Sequence, residues 1–174
     1  TALAENDLLA EFIEYLKSSD AQDVIAEEGY VSVVEDATAY AAPAEALTVT
    51  EITATGSTSV GPLMTKLAED FASLVKTANN QDVSVRVSGG GSGQGIKDAN
   101  EGNSDIGMAS KEVTDGTDIT NEDVTIYQLC ADGIAVIVNT ANPATNITLE
   151  NLTKVYTDSS LNWIDIGVEF PVEE

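Results

Sequence analysis

DVSVRVSGGGSGQGI, residues 82–96, decides the fold. Val83, Val85 and Val87 alternate with polar residues, the period of a strand with one buried face. The strand runs straight into a turn of Gly and Ser that opens a helix. Upstream, TVTEITATGSTSVGP (48–62) repeats the arrangement: a weakly alternating strand, the turn GSTSVGP (56–62), then a helix with Pro62 near its start, where the missing N–H costs little. Leu63, Leu67, Phe71 and Leu74 carry the buried face of that helix. Downstream, NSDIGMAS (103–110) reads as a short strand and GIAVIVN (133–139) as a continuous apolar strand of the kind a parallel sheet buries on both faces. Thr148 caps a last helix carrying Leu149, Leu152, Val155 and Tyr156. Strands alternating with helices predict an α/β fold: a mostly parallel sheet with helices on both faces.

The amino-terminal part has a different texture. Leu8, Leu9, Phe12, Ile13 and Leu16 fall at helical spacing, with Glu11, Glu14 and Lys17 opposite, which predicts an amphipathic helix over 5–18. Ser19 or Asp20 is placed to cap a second short helix through Val24 and Ile25, with Gly29 ending it. Residues 36–47, rich in Ala and carrying Pro43, read as a linker. The expected organisation is closing helices at 1–35, the linker, and the α/β part at 48–174.

Composition removes several functions. Lys plus Arg number 7 against 30 Asp plus Glu, a formal charge of −23. Phosphate backbones are bound by clustered Lys and Arg, so nucleic acid is not an expected partner, and neither is anionic lipid. The 174 residues contain no His, which removes the commonest general base and the usual zinc ligands. The single Cys130 lies beside an apolar run and reads as a structural thiol. Carboxylates such as Glu27, Glu28, Asp115, Asp118, Glu122 and Asp123 fall on helix faces or in loops, where solvation explains them, so catalysis is not expected. No cofactor is called for. No apolar run approaches the ~20 residues needed to span a bilayer. No basic, apolar leader opens the sequence, so any export signal is expected to lie outside it.

The informative feature is the pair of turns. A helix start presents unpaired backbone N–H groups and a partial positive charge. Gly lets a ligand come close to the backbone, and Ser and Thr add hydroxyl donors. Two such ends converging make an anion site that needs no cationic side chain. The plainer alternative is that Ser and Thr are the usual helix caps. Neither the dinucleotide fingerprint nor the Walker pattern is present.

The segments ITATGSTSVGPLM, VSVRVSGGGSGQGI, GNSDIGMASKEV, DGIAVIVN, NPATNITLENLTKVY and LNW, in this order, resemble the first part of the PstS-like phosphate-binding proteins of ABC transporters, a group of type II periplasmic binding proteins. Residues 8–33, LLAEFIEYLKSSDAQDVIAEEGYVSV, resemble the carboxy-terminal end of the same family, with Ser32 where Pro is common. The resemblance therefore implies one lobe in permuted order, as a cut through a tandem protein would give, or as a natural permutation would. It implies inorganic phosphate or a similar oxyanion as ligand, a second lobe and an ABC permease as partners, and an extracytoplasmic place, lipid-anchored through a segment upstream.

Carried over position by position, the resemblance implies ligand contacts at Thr58 and Ser59 in the first turn and Ser92 in the second, with Gly91 and Gly93 allowing close approach. Ser110 falls where many relatives place an Asp that accepts the phosphate's own proton; here Lys111 follows it. Asp132, at the start of GIAVIVN, is a further candidate, with a loop cap as its plainer role. The alternatives that stay open are a sensor or interaction module that kept the lobe, and a binder of another tetrahedral oxyanion such as sulfate.

Overall fold

A computed structural model describes residues 5–159 and 162–167. The chain divides into two compact units on either side of the Gly133–Ile134 junction.

The first unit opens with α1 (Asp7–Leu16), whose first turn is capped by the Asn6 side chain accepting from the Leu9 amide at 3.0 Å. Leu8, Leu9, Phe12 and Tyr15 are its buried residues. The cap of α2 (Ser19–Glu27) is Ser18, ahead of the expected Ser19 or Asp20. The Ser18 hydroxyl accepts from the Ala21 amide and also donates to the Tyr15 carbonyl at 2.6 Å, tying the two helices together. Gly29, at φ +88°, ends the second helix as expected.

The 36–47 connection has neither helix nor strand, yet it is fastened at both ends. The Tyr40 hydroxyl donates to Glu11 at 2.8 Å, its amide donates to Asp20 at 2.6 Å, and its ring joins Phe12, Tyr15 and Phe71 in an aromatic cluster. Further on, the Leu47 amide and carbonyl pair with the Gln81 side chain at 2.7 and 2.8 Å.

The sheet is parallel, in the order β2–β1–β3, from β1 (Glu51–Gly56), β2 (Ser84–Gly89) and β3 (Ile106–Met108). Ala54 stands level with Val87 on one side and Ile106 on the other. Paired residues share a face, so Ile52 and Ala54 bring Val85, Val87 and Ile106 against the core. That core is completed by α1, α2 and α3 (Gly61–Asn79), which contributes Leu63, Met64, Leu67, Phe71 and Val75. Thr53 and Thr55 point to the other face, where α4 (Ser92–Glu101) packs. There Thr55 Oγ1 donates to Asp98 at 3.0 Å. The α4 contact is very close: a Cβ on Gly95 would lie 2.6 Å from the Met108 carbonyl oxygen and 2.7 Å from that of Thr55.

The second unit corrects one expectation. GIAVIVN forms no strand. Just before it, Ala131 makes only an isolated antiparallel bridge with Val31, and beyond the junction Ile134 and Ile137 are 96% and 90% exposed. The apolar run has strand composition, but no neighbouring strand among the described residues supplies its hydrogen bonds, and composition alone cannot make a sheet. The last helix, α5 (Leu149–Thr157), is capped by Thr148 as expected, accepting from the Asn151 amide at 3.2 Å. Its expected apolar face is split. Leu152, Val155 and Tyr156 line a small cavity of about 340 Å³ with Ile147 and Trp163, while Leu149 stays exposed outside it. A 3₁₀ turn (Trp163–Ile166) follows, and the Ile166 carbonyl accepts from the Asn151 side chain. No helix among the described residues is long and apolar enough to cross a membrane.

Candidate anion-binding site

Parallel strands deliver their carboxyl ends to one edge of the sheet, where ligands of open α/β sheets are held. Here that edge gathers the β1–α3 turn, the β2–α4 turn and the segment after β3. Backbone hydrogen bonds lock them together: the Gly91 amide donates to the Gly56 carbonyl at 2.8 Å, and the Ser57 amide to the Met108 carbonyl at 2.9 Å. Gly56 sits at φ +135°, and a Cβ there would fall 2.2 Å from the Met108 carbonyl oxygen, so only Gly permits the junction. Thr58 lies against the second turn, its methyl 3.1 Å from where a Cβ on Gly89 would be.

Three serines, one from each segment, meet at this edge. The Ser57 hydroxyl donates to the Ser110 hydroxyl at 3.0 Å. The Ser110 amide donates to the Ser92 hydroxyl at 3.1 Å, and the Ser92 and Ser110 oxygens lie 3.3 Å apart. Thus Thr58, Gly91, Ser92 and Ser110 are brought together. Ser59 is exposed on the same turn as Thr58, and Gly93 is exposed in the first turn of α4. The tight contacts fall at Gly56, Gly95 and Gly107, whereas a Cβ on Gly91 or Gly93 would meet no protein atom within 4 Å.

The helix starts at this edge differ from the others. Helices α1, α2 and α5 are capped by Asn6, Ser18 and Thr148. Neither α3, with Val60 at the cap position, nor α4, with Gly91 there, has a side-chain cap. Ser92 and Ser110 therefore are not spent as helix caps, the plainer role that hydroxyls in such turns play. The hydroxyls of Ser92 and Ser110 meet beside the start of α4, and donors at a helix start suit a compact anion.

The Lys111 ammonium pairs with Asp118 at 3.2 Å. The Thr114 backbone amide first, and Lys111 second, hold the Asp118 carboxyl below its ordinary value. Among the described residues, no group of His, Cys, Asp and Glu is placed to hold a metal ion.

Asp132 is not joined to the serines: no hydrogen bond links it to them among the described residues. It is exposed and lines a broad cleft of about 990 Å³ that Ser59, Ser110 and Lys111 also line. Cys130, beside it, is half-buried; burial first, and the Asp132 charge second, push its thiol pKa up, so it is not an activated nucleophile. The residue that the sequence pattern missed is Ser57. Its place in GSTSVGP was visible, but its burial depends on β3, remote in sequence.

A family model described as a PBP superfamily domain matches residues 41–173. The chain is 32% identical over 163 residues to the phosphate-binding protein PstS 2 of Streptococcus agalactiae, covering 94% of this chain and 52% of that protein. It is 30% identical over 121 residues to the phosphate-binding protein PstS of Bacillus subtilis, covering 67% of this chain and 37% of that one. Among solved structures, the phosphate-binding protein of a phosphate ABC transporter from Streptococcus pneumoniae superposes with a TM-score of 0.74 at 30% identity, over 90% of this chain and 57% of that chain. The chain thus spans about half the length of the curated relatives it matches.

Proposed function

We propose, from the premise that this chain belongs to the PBP superfamily, that it is a solute-binding lobe that captures inorganic phosphate for an ABC transporter. The observation that carries this is the meeting of Ser57, Ser92 and Ser110 beside two helix starts without side-chain caps. Oriented neutral donors stabilise an anion locally even in a chain of net charge −23, because distant carboxylates are screened over a Debye length of ~8 Å. The names of the relatives, phosphate-binding proteins from three bacterial genera, support phosphate as the ligand. In this reading the lobe works outside the cytoplasm, with a second lobe and a membrane permease as partners, and it binds rather than transforms its ligand. The ligand contacts we assign are Thr58, Ser59, Gly91, Ser92, Gly93 and Ser110. Asp132 belongs to the cleft wall.

A small-molecule site buries ~70% or more of its ligand, which one wall does not achieve. The isolated chain is therefore expected to hold phosphate only in the millimolar range, about −4 kcal/mol or weaker. The test is equilibrium dialysis of radiolabelled phosphate against the full-length protein and its Thr58→Ala, Ser92→Ala double variant. Loss of binding with an unchanged fold supports the reading. Unchanged binding places the ligand elsewhere and leaves the sensor or interaction role.

A further inference from the structure

Ser57 is the one residue of the serine cluster that no ligand can reach. It is 2% exposed, walled by the β1–α3 turn and by the segment after β3. Its hydroxyl oxygen accepts from the Val60 amide at 3.4 Å and donates its proton to Ser110 at 3.0 Å. A serine hydroxyl has one proton to give and two lone pairs. With its proton directed at Ser110, Ser57 settles one end of a hydroxyl chain.

The remainder follows by counting. The cluster holds three hydroxyl protons and two oxygen–oxygen contacts, Ser57 to Ser110 and Ser110 to Ser92. Each contact uses one proton. Among the described residues one O–H, on Ser92 or on Ser110, is therefore left uncommitted, and Ser92 opens α4, where no side chain caps the helix. No carboxylate shares a hydrogen bond with any of the three serines among the described residues. The cluster as built offers a donor and lacks an anionic acceptor.

We propose that Ser57 is a positioning residue for anion recognition: it aims the Ser110 hydroxyl, and through it sets the cluster to give one hydroxyl proton to a fully deprotonated oxyanion oxygen. This rests on the anion-binding reading above and adds to it the ligand class. A site of this kind requires no proton on its ligand, so it accepts sulfate as well as phosphate. A carboxylate at the same place would repel sulfate and select an anion that still carries a proton.

The test follows the amide resonances of the isotopically labelled chain in titrations with sodium phosphate and, separately, sodium sulfate at matched ionic strength. For the unaltered chain the two dissociation constants are expected to agree within about tenfold, a difference of less than about 1.4 kcal/mol. Ser57→Ala is expected to weaken both several-fold while the spectrum keeps its dispersion, and Ser57→Thr, which keeps the hydroxyl, to restore them. Phosphate binding with sulfate excluded overturns the proposal and leaves the phosphate reading standing. Unchanged affinities in a folded Ser57→Ala also overturn it. If neither anion moves the three segments, the anion reading fails and takes the proposal with it. The phosphate-to-sulfate ratio of the unaltered chain decides the matter even if Ser57→Ala does not fold.

Discussion

Single glycines and carboxylates fix the geometry of the binding edge and its approach to the core. Gly95 is one such case, since its missing Cβ leaves space for two carbonyl oxygens at 2.6 and 2.7 Å. Gly95→Ala drives a methyl into backbone that cannot move aside, so it is expected to destabilise the first unit by about 1–3 kcal/mol in urea unfolding. Gly93→Ala, where a Cβ meets nothing within 4 Å, is expected to change stability by under about 0.5 kcal/mol. Equal effects would contradict the close helix-to-sheet contact. Asp7 does a different job. Its carboxylate accepts from the Thr48 amide at 2.6 Å and the Val49 amide at 3.0 Å, fastening the start of α1 to the entry of the sheet. The Thr48 amide is the largest cause holding its pKa below the ordinary 3.8. A carboxyl with a lowered folded-state pKa contributes stability that is fully present above its unfolded value and is lost as pH falls through the folded one. Asp7→Asn is therefore expected to flatten the loss of stability between about pH 5 and about pH 3, read from urea midpoints. An unchanged acid slope would contradict the role.

At the scale of elements, local pattern and remote pairing separate cleanly. The helix of Leu8, Leu9 and Phe12, the alternating Val85 and Val87, and the turns opening α3 and α4 were legible because each is written within a few adjacent residues. The convergence of the two turns was legible too, because parallel strands feeding helices bring their carboxyl ends to one edge. Ser18 rather than Ser19 or Asp20 caps α2, the ordinary ambiguity of one or two residues in a run of polar residues. Ser57 was not legible, since nothing in GSTSVGP says that Ser110 stands 3.0 Å from it. GIAVIVN misled for the same reason in reverse: its composition is that of a buried strand, but Ile134 and Ile137 find no cover among the described residues. In α5 no residue is fully buried, whereas α3 buries six. Few buried contacts mean cheap local opening. Hydrogen exchange is expected to be slow at the amides of β1 and α3 and faster by orders of magnitude across α5. Equal protection in both would show that the two units open as one.

At the scale of the whole chain, the proposed anion site belongs to a strongly acidic protein. With 7 basic and 30 acidic side chains, net attraction does not favour an anion, so the proposed binding rests on backbone dipoles and hydroxyls. In the proposed reading recognition and affinity separate: one wall supplies the donors, and affinity depends on how much of the ligand is buried. The most direct measurement is an amide-resolved titration of this chain with inorganic phosphate at constant ionic strength. The account predicts saturable shifts confined to Thr58, Ser59, Ser92, Gly93 and Ser110, with a dissociation constant near or above about 1 mM. Shifts scattered over the acidic surface, or none at the sheet edge, would contradict it.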